Sequence, residues 1–139
     1  MSISERISPF LGRFVIAWFF LSEAWWRINN WEGTITLLHM KHVSSATPFL
    51  ALAIVLMVLG GISLLFGYQT RIGALILFGV TVVMSIQLHD YWKIGNAVDR
   101  GADYDLFIRN MAIAGGLLFL VGMGPGPFAM DNPMAKKGR

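Results

Sequence analysis

The stretch that decides the fold runs from Phe49 to Leu88 and reads FLALAIVLMVLGGISLLFGYQTRIGALILFGVTVVMSIQL. It holds two apolar runs, each close to the ~20 residues that cross ~30 Å of hydrocarbon. Only GYQTR, residues 67–71, separates them, and so short a turn predicts two antiparallel neighbours. Unbroken helices are the expected spanning form, because lipid cannot satisfy free backbone groups.

Two more apolar runs flank this pair, and the composition agrees with a membrane protein. Of the 139 residues, 55% are hydrophobic and only 14% charged, whereas soluble domains carry about a quarter charged residues. The mean hydropathy is +0.61. The sequence therefore predicts an all-α, integral membrane four-helix bundle in one domain over residues 1–139, with helices at about 7–27, 48–67, 71–90 and 105–123.

The connection between the first two helices, INNWEGTITLLHMKHVSSA, is long enough for a short interfacial helix. An amphipathic pattern recurs in it at three- or four-residue spacing, through Trp31, Ile35, Leu38 and His42. Four spans place both termini on one side. Lys and Arg number six on that side and five on the other. This slight excess predicts a multi-pass protein of the bacterial cytoplasmic (inner) membrane with cytoplasmic termini.

Several function classes are excluded or disfavoured by residue usage. The chain has no cysteine, which excludes disulfides, thiol redox relays and iron–sulfur clusters held by its own thiolates. The net charge of +3 without a dense basic stripe disfavours nucleic acid as a partner. His39 and His42 lack a carboxylate spaced to complete a metal site, so no metal is predicted. No residue is assigned a catalytic role.

The first helix carries charges that are too close together for its length. Only nine uncharged residues separate Arg13 from Glu23, so their Cα atoms lie about 15 Å apart along the axis. Since the hydrocarbon is about 30 Å thick, at least one charge reaches membrane depth or snorkels to an interface. Arg13 snorkelling to the phosphates and Glu23 pairing with Arg27 one turn later are the plain interpretations. The alternative is a polar site inside the bundle, near the interface far from the termini.

Aromatic and ionisable side chains should collect at that far interface. Aromatic walls with a few ionisable groups suit a quinone headgroup, which needs ring stacking, hydrogen bonds to two oxygens and a proton donor or acceptor. The candidates for binding a quinone or lipid headgroup are Arg13, Glu23, Trp26, Arg27, His89 and Trp92. No intrinsic cofactor is expected beyond such a quinone or bound lipid.

Four segments, taken in order, resemble motifs of the DoxX family of membrane proteins. They are GRFVIAWFFLSEAWWRI, GGISLLFGYQTRIGALIL, LFIRNMAIAGGLLFL and GPGPFAMD. The resemblance implies a four-helix membrane fold and a link to respiratory or redox systems, because relatives in that family include a thiosulfate:quinone oxidoreductase subunit. Glu23 departs from the family's usual glycine, and Met57 stands where a glutamate is common.

Together these observations predict a small inner-membrane subunit or accessory of a quinone-linked respiratory or redox complex. Its partners would be membrane lipids and a larger membrane protein complex, and it would not be an enzyme on its own. The alternative is a non-catalytic structural or assembly subunit. Such a subunit would pack against larger membrane proteins, lipid or pigment and perform no chemistry.

Overall fold

The computed structural model describes residues 2–131 and is helical, without strands in that range. The helices are α1 (Ile3–Asn29), α2 (Trp31–Met40), α3 (Ala46–Phe66), α4 (Thr70–Leu88) and α5 (Ala97–Met123), with a 3₁₀ turn at Tyr91–Lys93. Apart from the short α2, these helices are long and apolar enough to cross a membrane. The predicted all-α membrane bundle, with a short helix between its first two spans, is confirmed.

Two spans begin earlier than the apolar pattern indicates, near residues 3 and 97 rather than 7 and 105. At the start of α1, the Glu5 amide donates to Ser2 Oγ (3.3 Å), and the Ser2 amide donates to the Glu5 carboxylate (2.8 Å). This reciprocal capping box satisfies otherwise free amides. At the start of α5, Asn96 Oδ1 accepts from the amide of Val98 at 2.9 Å. The first turns of both helices are polar, and hydropathy alone therefore misses them.

The spans pack in chain order, α1 on α3, α3 on α4 and α4 on α5. Two adjacent glycines let α3 approach both of its neighbours closely. A Cβ on Gly60 would lie 2.5 Å from Cγ of Leu77 in α4, and one on Gly61 would lie 2.9 Å from Cγ of Leu21 in α1. Small residues at helix contacts are the usual means of close packing in membranes.

The bundle has two ends, which we name by what they carry. The terminal face holds the start of α1, the α3–α4 turn and the end of α5. The far face holds α2, which packs against α1, α3 and α4, and the 3₁₀ turn. The first and last spans contact each other little, although Ile16 of α1 does approach Gly116 of α5.

The outer surface of the spans is apolar, as contact with lipid requires. The span α5 is covered least by the rest of the protein: 11% of its most apolar 18 residues are buried, against 44% for α4. Phe119 and Met123 on α5 are 74% and 80% exposed. This surface faces lipid or another membrane protein.

Candidate functional site

Charged side chains from three separate elements meet at the far face. Lys41, at the end of α2, donates from Nζ to Asp90 Oδ1 at 2.7 Å and lies 3.4 Å from Asp103 Oδ2. Asp90 is the second residue after α4, and Asp103 lies in α5. His89 Nδ1 is 3.6 Å from the second oxygen of Asp103. These contacts tie α2, the end of α4 and α5 together.

The charge of Lys41 is stabilised by this arrangement. Burial alone lowers the pKa of Lys41, but the hydrogen bond and charge of Asp90 and the charge of Asp103 outweigh it, so the pKa is raised. Lys41 therefore stays protonated at neutral pH. The side chain is only 18% exposed, so solvent screens these contacts less than it would at an open surface.

The first span adds an ion pair at the same face. Arg27 Nη2 lies 3.2 Å from Glu23 Oε2, one helical turn away, as the sequence spacing indicates. The Glu23 side chain is 32% exposed and the Arg27 side chain 13%. Arg27 and Arg109 both lie within electrostatic range of His89. Three of the six sequence candidates, Glu23, Arg27 and His89, are thus brought together.

Polar atoms with no hydrogen-bond partner stand out at this face. Arg27 Nε, Ser85 Oγ and His89 Nδ1 are buried and make no hydrogen bond with residues 2–131, although His89 Nδ1 lies 3.6 Å from the Asp103 carboxylate. Ser85 is fully buried and precedes His89 by one turn of α4. A buried polar group left unpaired costs about 1–3 kcal/mol. We call Glu23, Arg27, Ser85, His89 and Asp103 the far-face cluster.

The two tryptophan candidates occupy different surroundings. Trp92 is 51% exposed and packs edge-to-face on Tyr91 and Phe107, with ring centroids 5.3 and 5.7 Å away. This aromatic group borders the far face near His89. Trp26 is 56% exposed and lies beside Trp25 along an outer cleft of α1. It is placed to contact lipid.

Arg13 lies at the opposite end of the bundle. Its side chain is only 1% exposed, so the snorkelling interpretation is wrong. Nη1 donates to the carbonyl of Leu64 at 2.9 Å, and Nη2 donates to the carbonyl of Phe128 in the C-terminal tail. Arg13 turns inward because the last turn of α3 and the returning tail offer carbonyls that lipid cannot. It does not join the other candidates.

The tail completes this arrangement by closing over the α3–α4 turn. Asp131 accepts from the amide of Thr70 at 2.7 Å, and its own amide donates to the carbonyl of Gly67 at 2.9 Å. Gly67 has φ 68°, and a Cβ there would lie 2.5 Å from Arg13 Nη1. Arg13, Gly67, Thr70, Phe128 and Asp131 form what we call the tail clasp. It satisfies backbone groups at the end of α3 and the start of α4.

Sequence reasoning missed three contributors to the far face, namely Lys41, Ser85 and Asp103. Lys41 and Asp103 lie in polar segments on the same side of the predicted bundle. Their opposite charges on one face are the sequence signal that could have indicated an ion pair. Ser85 gave a weaker signal, its four-residue spacing from His89 on a helix. Within the described range, no group of three His, Asp or Glu side chains is arranged to hold a metal ion.

Two known proteins similar to this chain are named as inner membrane proteins. The chain is 29% identical over 133 residues to the inner membrane protein YqjF of Escherichia coli, covering 96% of each. It is 28% identical over 125 residues to the inner membrane protein YphA of the same organism, covering 88% of this chain and 86% of that protein. The Surfeit locus protein 4 homolog of Drosophila melanogaster is 25% identical over 127 residues, 90% of this chain and 40% of its own length. No solved structure matches.

The match to a family model decides to which protein family this chain belongs. The model of the SURF4 family matches residues 34–137, and the resemblance to the DoxX family is wrong. The quoted motifs misled because their glycines serve geometry: Gly60 and Gly61 admit neighbouring helices, and Gly67 adopts a left-handed turn. Four-helix membrane proteins of different families meet the same demands. This chain belongs to the SURF4 family.

Proposed function

We propose that this protein is a small subunit or accessory of a quinone-linked redox complex and holds a quinone headgroup, or a lipid headgroup, at the far-face cluster. The observation that carries the proposal is a set of buried polar atoms that make no hydrogen bond within residues 2–131, namely Arg27 Nε, Ser85 Oγ and His89 Nδ1. With the DoxX resemblance removed, the redox role rests on the chemistry of this cluster alone.

The cluster offers the functional groups that a quinone headgroup requires. The Arg27 Nε–H and the Ser85 hydroxyl can donate hydrogen bonds to carbonyl oxygens. Ser85 lies in the last turn of α4 and His89 directly follows the helix. The helical rise separates their Cα atoms by about 6 Å, so both side chains are near enough to contact one headgroup. His89 is the group suited to take up or release a proton, with Asp103 3.6 Å from Nδ1 to stabilise the charged ring.

A location in the bacterial cytoplasmic membrane is part of the proposal. Two relatives that cover most of the chain are named as inner membrane proteins of Escherichia coli. The excess of Lys and Arg beside the termini supports cytoplasmic termini, which would place the far-face cluster at the outer side. A quinone dissolved in the bilayer could reach this face from the hydrocarbon.

A second candidate function is favoured by the exposure of α5. In this alternative the protein has no chemistry and packs against a larger membrane protein, or holds lipid or pigment around it. The surface around Phe119 and Met123 is apolar and little covered by the rest of the chain. Purification in mild detergent should then bring down a larger complex, and a protein that purifies alone would count against this alternative.

Ser85→Ala gives a sharp test of the headgroup site. The Ser85 hydroxyl has no partner within the described residues, so its removal should leave stability unchanged or slightly raised. We expect quinone extracted from the purified variant to fall several-fold relative to wild type, measured by chromatography and mass spectrometry. Ser22→Ala, on the outer cleft beside Trp26, is the matched control and should keep its quinone.

Two results would count against the headgroup site. One is wild-type protein that carries no quinone or stoichiometric lipid after extraction from its native membrane. The other is Ser85→Ala that retains the wild-type amount.

A further inference from the structure

A second opening lies at the terminal face, away from the far-face cluster. There α1 and α5 part and leave a cleft of about 370 Å³. Its walls are mainly apolar and include Ile16, Phe119, Leu120 and Met123. Because Phe119 and Met123 are largely exposed, the cleft opens sideways toward lipid.

The cleft also has a cationic group built into its wall. Arg13 lines it, is 99% buried, and uses both terminal nitrogens on backbone carbonyls. Arg13 Nε remains buried with no hydrogen-bond partner in the range 2–131. A donor on a buried guanidinium is costly to leave unpaired. A ligand that fills the cleft and carries an acceptor oxygen at the depth of Arg13 would remove that cost.

Charges at the mouth of the cleft indicate the class of ligand. Gly124 lines the mouth, and Arg71 packs against it: Nη2 lies 3.2 Å from where a Cβ of Gly124 would stand. Glu5 also lines the mouth, where its carboxylate accepts from the Ser2 amide at 2.8 Å. Arg71 supplies a cation for a phosphate, Arg13 Nε supplies a deeper hydrogen-bond donor, and Glu5 supplies an adjacent carboxylate. Together these groups match a zwitterionic lipid headgroup better than an anionic one.

We infer that the α1–α5 cleft binds one glycerophospholipid of zwitterionic, ethanolamine type. Its acyl chain lies along Phe119 and Leu120, an ester carbonyl accepts from Arg13 Nε, and the phosphate lies near Arg71. The site is separate from the quinone or lipid headgroup site of the far face and does not depend on it. It assigns Arg13 a ligand contact in addition to its role in the tail clasp.

Glycine positions allow the cleft to be filled without disturbing the fold. Among residues 2–131, a Cβ on Gly12 meets nothing within 4 Å, so Gly12→Leu places a side chain in the cleft. Gly79→Leu is the matched control, since Gly79 is equally open. It lines a different groove of about 420 Å³ between α3 and α4, which lacks charged residues. Gly116→Leu, from the opposite wall, fills the same cleft as Gly12→Leu if the latter fails to fold.

The experiment uses the full chain in nanodiscs that contain phosphatidylethanolamine with a diazirine in its acyl chain. After irradiation, labelled peptides are mapped by mass spectrometry. We expect labelling of the α5 peptide around Phe119 to exceed labelling of the Gly79 groove at least threefold. Gly12→Leu should reduce it at least threefold, and Gly79→Leu should leave it unchanged. A phosphatidylglycerol probe should label the cleft less.

Three outcomes would overturn the inference. Equal labelling of both grooves would indicate ordinary annular lipid only. Labelling that survives in folded Gly12→Leu and Gly116→Leu would show that the cleft is not the site. Stronger labelling by phosphatidylglycerol would contradict the zwitterionic headgroup. Quinone content should be unaffected by Gly12→Leu, which separates this site from the far-face cluster.

Discussion

The helix α1 places an arginine near each end of the bundle, Arg13 buried and Arg27 partly buried, and the two arginines are used differently. Arg13 donates to the carbonyls of Leu64 and Phe128, and so joins pieces of backbone far apart in the chain. Arg27 contacts the side chain of Glu23 one turn away. One arginine holds the fold together, whereas the other belongs to a group of side chains that could rearrange around a ligand.

Unpaired polar atoms sharpen the difference between the two faces. In the part of the chain that the structure describes, the buried polar atoms without a hydrogen bond are Arg13 Nε and Thr70 Oγ1 at the terminal face, and Arg27 Nε, Ser85 Oγ and His89 Nδ1 at the far face. At the terminal face, Arg13 donates to backbone carbonyls, and the Asp131 carboxylate accepts from the amide of Thr70. At the far face, His89 lies near Asp103, Arg27 and Arg109, and an imidazole is the side chain best suited to proton exchange near neutral pH.

The largest effect is expected from breaking the tail clasp. Arg13→Met should lower the free energy of unfolding by about 3 kcal/mol, because carbonyls at the end of α3 and in the tail lose a buried charged donor. Thermal or denaturant unfolding in detergent measures it. Arg6→Met is the control: Arg6 is an exposed arginine on the same helix, and its loss should change stability by no more than about 0.5 kcal/mol. Equal stability of both variants would contradict the structural role of Arg13.

A smaller and more local effect is expected at the far face. Lys41→Met should increase amide hydrogen exchange in α2 around Leu38, corresponding to about 2 kcal/mol of local opening, because Asp90 and Asp103 lose their shared cation. Lys93→Met, at an exposed lysine of the same face, should leave exchange unchanged. An unchanged α2 in Lys41→Met would show that this helix is held by apolar packing alone.

The raised pKa of Lys41 makes its contribution to the stability of the far face depend on pH, with a definite sign. Because its pKa is raised on folding, the stabilisation is fully present below the ordinary lysine pKa, about 10.5. It is lost as pH rises through the higher pKa of the folded state. The difference in exchange between wild type and Lys41→Met should therefore stay constant between about pH 6 and pH 9.

The sequence predicted the four membrane spans and the contact between Glu23 and Arg27 well. Four apolar runs of membrane length leave little choice of architecture, and Glu23 and Arg27 are neighbours on any helix. Contacts across the chain could not be predicted in the same way. The bond between Arg13 and the Phe128 carbonyl joins positions 115 residues apart, and it depends on a tail that returns over the α3–α4 turn. Nothing in the sequence distinguishes Ser85 from other serines. Its burial in the structure is what makes it a candidate for binding a headgroup.

The family assignment failed for a related reason. The segments around Gly60 and Gly67 resemble motifs of the DoxX family, but their glycines also meet demands of the fold: Gly60 and Gly61 allow close helix packing, and Gly67 adopts a left-handed turn. The separation of Arg13 from the far-face candidates also needed the structure. On the sequence alone, a charge at membrane depth signals function as readily as it signals a structural contact.

The central claim is that the far face, unlike the tail clasp, is completed by a ligand. The most direct measurement is the shift in unfolding stability when a short-chain benzoquinone is added to purified protein. At a quinone concentration about 100-fold above Kd, wild type should gain about 2.7 kcal/mol. Ser85→Ala should lose about 1 kcal/mol of that gain, the contribution of one hydrogen bond, while Gly12→Leu keeps it. No gain in wild type, or an equal gain in Ser85→Ala, would contradict the claim.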